Sequence, residues 1–303
     1  MIGHDDEMTA TSSRPPDLPI VDLMVELPSG GAGMGMDQAR RLLKDAGSDE
    51  FAHHPAEYLF KDAGAQMGTD PAIDGLVALM DTHGITTAQI DVDPRHPEAS
   101  HEIFERFPGR FFGSVGIDPN LGMKSLRSMK SAVESHSAIR SVSAAPCLYA
   151  PQVPIDAPQM YPFYAACCEL DVPMNILAGV PGPRVPFDCQ RVDRIDPVCY
   201  DFPELKLVMR HGCEPWEGLA VKLMLKWPNL YFSTTAFAPK HYPQAIVDYA
   251  NTRGTDKVMF AGYYPGLSWK RVIGELDQVG FRDKVWEPFL AGNARRVFGL
   301  DQL

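Results

Sequence analysis

The chain of 303 residues is 45% hydrophobic and 22% charged, ordinary values for a folded globular protein, which excludes a disordered chain, a collagen-like repeat and a coiled coil. Lys and Arg number 28 against 39 Asp and Glu, a formal net charge of −11 that repels a phosphate backbone and makes nucleic acid an unexpected partner. This length suits one large α/β barrel or two domains.

Residues 1–18 read as a flexible tail. Met1–Pro16 hold His4, Asp5, Asp6 and Glu7, without the basic start and apolar run of a secretory leader. No stretch of eighteen consecutive apolar residues occurs, so no membrane contact is expected, and the expected location is the cytoplasm. The first strand spans Pro19–Val25. The segment 27–69 then interrupts the pattern. It opens on the glycine-rich run Pro28–Met36 and contains two short helical candidates, Asp37–Lys44 and Ala56–Ala63. An insertion leaving the C-terminal end of a barrel strand lies on the face where active sites form, so 27–69 reads as a lid, with a passive surface loop or subunit contact as the competing reading.

From Ala72 onward, helix and strand patterns alternate. Helical spacing over Ala72–Thr82 precedes a strand at Ile85–Val92, Pro97–Phe107 precedes Phe111–Ile117, and Lys124–Ser135 precedes Ala138–Ala144. Next come Gln159–Leu170 with Met174–Ala178, Val192–Tyr200 with Leu205–Arg210, Pro215–Lys226 with Leu230–Thr234, and Tyr242–Asn251 with Lys257–Gly262. Ser268–Asp277 and a terminal helix over Asp283–Phe298 complete the chain. Eight near-continuously apolar strands need cover on both faces, which predicts a single closed parallel (β/α)8 barrel over 19–300, with a doubly wound open sheet as the alternative. The six cysteines, Cys147, Cys167, Cys168, Cys189, Cys199 and Cys213, lack CxxC spacing and read as reduced, mostly buried thiols.

Four blocks carry a resemblance: Leu207–Gly212 (LVMRHG), Trp227–Phe232 (WPNLYF), Lys257–Pro265 (KVMFAGYYP) and Asn293–Leu300 (NARRVFGL). Their order and spacing are similar to the amidohydrolase-related family, which contains hydrolases and decarboxylases similar to aminocarboxymuconate-semialdehyde decarboxylase. The resemblance implies a distorted (β/α)8 barrel. It also implies a divalent-metal site built from an Asp-x-His-x-His strand, a histidine in Pro-x-x-Ile-His-x-Gly, a histidine after the sixth strand and an aspartate after the eighth. At the matching positions this sequence has Met24 and Glu26, Leu177, His211 and Tyr263. Only His211 survives. A thioether and an alkyl side chain offer no useful donor to a hard or borderline ion, so neither a metal nor another cofactor is expected. His53 and His54 are adjacent in the insertion, point apart, and read as surface or lid residues.

Met24, Glu26, Leu177, His211 and Tyr263 are therefore expected to converge at the barrel mouth. Glu26, between Met24 and Leu177, is expected to be poorly solvated and to form an acid–base pair with His211, while Tyr263 donates to a carbonyl or oxyanion. The competing reading is a buried Glu–His–Tyr network that only ties strands together. Asp91, Asp93, Asp118, Asn120 and Arg184 follow strands and are expected on the same rim, with Arg184 suited to an anionic group and Asn175 aimed into the barrel. Asn175, Arg184, Asp118, Met24 and Leu177 are the substrate-binding candidates. The expected partner is a small-molecule substrate, anionic if Arg184 grips it, with room for a homodimer through the outer helices. The expected chemistry is metal-independent hydrolysis of an ester, lactone or amide. Decarboxylation and a catalytically silent ligand-binding or partner-binding barrel are the alternatives.

Overall fold

The computed structural model describes residues 11–27, 39–48, 50–51, 56–60 and 72–302. Eight parallel strands are hydrogen-bonded in sequence order: β1 Ile20–Asp22, β2 Ile85–Val92, β3 Phe111–Gly116, β4 Ile139–Ala144, β5 Met174–Leu177, β6 Leu207–Arg210, β7 Leu230–Ser233 and β8 Val258–Met259. Helices cover the outside, among them α1 Ile73–His83, α2 Glu98–Arg106, α3 Met123–Ser135, α4 Tyr161–Glu169, α5 Ile195–Asp201, α6 Glu217–Lys226, α7 Gln244–Ala250 and α8 Trp269–Glu275. The first and last strands meet beyond their ends. Val25 forms a parallel bridge with Tyr264, and the Glu26 amide donates to the Tyr264 carbonyl at 2.8 Å. The arrangement is the expected (β/α)8 barrel.

Alternation along each strand fixes the interior. The registers Gln89 with Phe112, Ser143 with Asn175, Asn175 with Val208, Val208 with Tyr231, and Ser233 with Met259 place one residue in two on a common face. At the lower end Val21, Phe112, Val208, Tyr231 and Met259 pack with Ala294, Val297 and Phe298 of the last helix, α10 Asn293–Phe298, which closes the barrel floor. Above them lies a polar layer. Asn175 Nδ2 donates to Gln89 Oε1 and Ser114 Oγ, both at 3.4 Å, and Ser114 and Ser143 share a hydroxyl hydrogen bond.

Two elements are shorter than their patterns suggest. β8 stops at Met259 because the next amides leave the ladder: Phe260 donates to Phe289 and Gly262 to the Asp22 carboxylate. The terminal helix divides into α9 Asp283–Glu287, a wider turn over Pro288–Gly292, and α10, because Pro288 has no amide to continue the ladder. Residues 1–10 lie outside the described residues. Thr11–Arg14 do not hang free, for Thr11 bridges Arg282, the Ser12 amide donates to Phe281, and the Arg14 amide donates to Asp277. Five of the six thiols are buried and all six are free. No helix among the described residues is long and apolar enough to cross a membrane.

Candidate active site

A cavity of about 1090 Å3 opens at the C-terminal ends of the strands. Register explains part of its lining. Leu177 pairs with Arg210, so both side chains take the inward face one step above the Asn175 layer, and both reach the cavity together with Asp91 and Ser143. Met24, Glu26, His211 and Tyr263 line it as well, so five of the positions expected to converge share one chamber. Much of the remaining wall is apolar, including Val25, Phe60, Leu148 and Phe237.

The strand ends here are held in unusual backbone. His211 has φ 65°, Cys213 60°, Ala236 70° and Tyr263 64°, the left-handed region that non-glycine residues seldom occupy. Their grouping after β6, β7 and β8 stores strain where the cavity forms, a pattern typical of functional sites. The Thr235 hydroxyl accepts the His211 amide at 2.9 Å and fixes that turn. Gly179, after β5, has φ 103°, and a side chain there would meet the Cys213 backbone within 2.8 Å, so only glycine lets the β5 and β6 ends approach.

These turns bring the rings of His211 and Tyr263 edge to face, 5.5 Å apart at 90°, and Phe60 packs 5.4 Å from Tyr263 on another side. Burial pushes the Tyr263 hydroxyl above the ordinary phenol value, and the charge of Glu26 pushes it further, so Tyr263 stays a proton carrier and donor. Glu26 is exposed to the chamber rather than enclosed by Met24 and Leu177, which removes the premise for the expected poor solvation.

Sequence reasoning passed over the residue beside His211. Arg210 is 4% exposed, and its Nη2 donates across the mouth to the Leu23 carbonyl at 2.9 Å, while Nε is buried without a partner. Burial lowers its pKa to about 10, against the pull of Asp91 and Asp22. Asp91 opens into the chamber yet lies deep in the mouth, and the resulting desolvation raises its carboxyl, with Arg210 opposing. The available signal was a charge ending the apolar strand Leu207–Arg210. Glu214, four residues past Arg210, and His241 also line the chamber.

The other candidates stand elsewhere. Asn175 lies in the polar layer beneath the chamber, not on its wall. The Asp118 side chain accepts the Asn120 amide and caps the turn Pro119–Leu121. Arg184 pairs with Asp45 and lies against the rings of Phe51 and Tyr58, outside the cavity lining. Asp93 is paired with Arg95. His53 and His54 and most of 27–69 lie outside the described residues. Of that insertion, Ala56, Tyr58, Leu59 and Phe60 line the chamber, and the Tyr58 hydroxyl donates to the Gly182 carbonyl at 2.8 Å.

A family model described as amidohydrolase matches residues 48–300. No curated protein matches the chain. Among solved structures, a Tim-barrel protein from Bordetella bronchiseptica superposes with a TM-score of 0.74 at 20% identity, over 94% of this chain and 100% of the other. A dihydroxybenzoic acid decarboxylase from Polaromonas, bound to manganese and 2-nitroresorcinol, gives 0.67 at 17% identity over 94% and 98%. The 5-carboxyvanillate decarboxylase of Sphingomonas paucimobilis gives 0.66 at 14% over 93% and 99%. At these identities the likeness establishes the fold.

The manganese in one of these structures raises the question of whether the residues here fit such an ion. They do not. Met24 presents a thioether, Leu177 an alkyl group and Tyr263 a phenol that keeps its proton, leaving Glu26 and His211 as ordinary donors where three or more are needed. Among the described residues no group of three His, Cys, Asp or Glu could hold a metal.

Proposed function

The chain belongs to the amidohydrolase family, and from that premise we propose that it is a metal-independent carboxy-lyase, removing CO2 from a small unsaturated or aromatic acid with its own acid–base groups. The observation that carries this reading is the edge-on His211–Tyr263 pair, 5.5 Å apart, inside a chamber walled largely by apolar side chains. The substrate's negative charge disappears as neutral CO2 forms, and the apolar part of the wall favours that neutral product. The bond between the carboxylate and its neighbouring carbon breaks, the electron pair stays on that carbon, and a proton from His211 takes the vacated place. Tyr263 donates to a substrate oxygen and steadies the charge that spreads onto it. Glu26, open to the chamber, returns a proton from solvent. The fold of known decarboxylases supports the reading.

Hydrolysis of an ester, lactone or amide is the second reading, supported by the exposure of Glu26, which in that reading takes a proton from an attacking water. One assay separates the two. The purified chain in EDTA is offered a panel of hydroxybenzoates and a panel of lactones and aryl esters in D2O. Release of CO2 with one deuterium at the vacated carbon supports decarboxylation. Ester or lactone cleavage alone overturns it in favour of hydrolysis. Ligand binding with no turnover in either panel overturns both and leaves a binding barrel.

A further inference from the structure

Arg210 lines the chamber, and neither reading uses its chemistry. A buried guanidinium is costly unless its donors are paired. Among the described residues its one side-chain hydrogen bond runs from Nη2 to the Leu23 carbonyl, Nε has no partner, and no carboxylate lies within ion-pair distance. Asp22 and Asp91 act on it only at longer range. Asp22 is also committed elsewhere, its two oxygens accepting the Gly262 and Met24 amides and the Trp269 indole N–H.

The guanidinium also sits where the ligand set of a metal barrel fails. It leaves β6 beside Leu177 on β5 and reaches the backbone just before Met24 on β1, so it spans the two positions that have lost their donors. We propose that Arg210 is a fixed anion anchor that substitutes for a bound cation and holds the carboxylate of a small organic acid whose apolar body lies against Met24, Leu177 and Phe237. A guanidinium offers a planar fork of donors to a carboxylate and keeps its charge at any physiological pH. Asp91 faces the same space, where burial raises its carboxyl and Arg210 opposes that shift. The inference rests on reading the chamber as the reaction site, but its test needs no turnover.

Benzoate and its neutral isostere benzamide are titrated into the full chain by calorimetry in EDTA, with wild type, Arg210→Met and Asp91→Asn. Wild type should bind benzoate at least about tenfold more tightly than benzamide. Arg210→Met should abolish that preference while keeping benzamide affinity within about twofold. Asp91→Asn, which removes a repelling charge and, among the described residues, no side-chain hydrogen bond, should tighten benzoate severalfold and leave benzamide unchanged. That variant decides the matter if Arg210→Met does not fold. Equal affinity for the two probes in wild type, no benzoate binding up to its solubility, restoration of binding only by added manganese, or a preference that survives Arg210→Met each overturns the anchor. Benzoate preference together with inert hydroxybenzoate and ester panels would sink the proposed reaction while sparing the anchor.

Discussion

Asp22 accepts the indole N–H of Trp269 on one carboxylate oxygen at 2.7 Å and the amides of Gly262 and Met24 on the other at 2.7 and 3.1 Å. One buried side chain thus binds the end of β1 to the end of β8 and to α8. Burial raises its pKa from 3.8 to about 6, against the lowering effect of those three hydrogen bonds and of Arg210. A carboxyl raised in the folded state binds its proton more tightly there than in the unfolded chain. Its stabilising contribution is therefore complete below 3.8 and lost as pH rises through about 6. Urea unfolding of wild type and Asp22→Asn should show their stability difference shrinking by roughly 2 kcal/mol between about pH 4 and about pH 7. A difference that stays flat over that range contradicts the assignment.

Gly262 lies against the same carboxylate. A Cβ there would meet Asp22 Oδ2 at 2.5 Å and the Trp269 ring at 3.2 Å. Gly262→Ala should lower stability by about 1–3 kcal/mol, the usual cost of overpacking, with an altered Trp269 fluorescence signal. Wild-type stability in this variant would mean that the β1–β8 seam is looser than described.

Glu26→Gln, His211→Ala and Tyr263→Phe should each reduce turnover by roughly 10²- to 10⁴-fold, the range of a lost acid–base or oxygen-stabilising group. Melting temperatures should move little, since these side chains face the chamber. Turnover within twofold of wild type for all three would falsify their catalytic assignment. Because Tyr263 is pushed above the ordinary phenol value, any alkaline limb of the rate profile near neutrality should persist in Tyr263→Phe.

Dialysis against a strong chelator should change neither turnover nor melting temperature, and elemental analysis should find well under one divalent ion per chain. A chelator-sensitive activity restored by manganese would show that donors outside the described residues complete a site.

Arg184 pairs with Asp45 and lies 4.7 Å from the Tyr58 ring, both residues belonging to the insertion. Arg184→Ala should leave benzoate affinity unchanged and speed amide hydrogen exchange around residues 45–48 and 56–60. Unchanged exchange there with weakened benzoate binding would return Arg184 to the substrate.

Strand runs such as Leu207–Arg210 were legible because a parallel barrel buries both faces of each strand, leaving largely apolar stretches between turn residues. Placement beyond the strand ends was less so. Asp118 follows β3 as a rim residue should, but a short turn claims its carboxylate. Asn175 shares the inward face of Leu177 yet sits two residues lower, roughly 6–7 Å down the barrel at about 3.3 Å per residue. Arg184 is seven positions past β5, far enough for the chain to turn outward toward Asp45. Arg210 went unassigned because the neighbouring histidine matched a known pattern and the arginine did not.

The left-handed backbone at His211, Cys213, Ala236 and Tyr263 constrains how this mouth can be re-engineered. A saturation library should accept Gly or Asn there most readily and reject Val, Ile and Thr, whose branching at Cβ clashes in that conformation. New specificities selected in the laboratory should therefore arise at ordinary positions such as Met24, Leu177 and Phe237, with the strained turns passing unchanged through successive rounds.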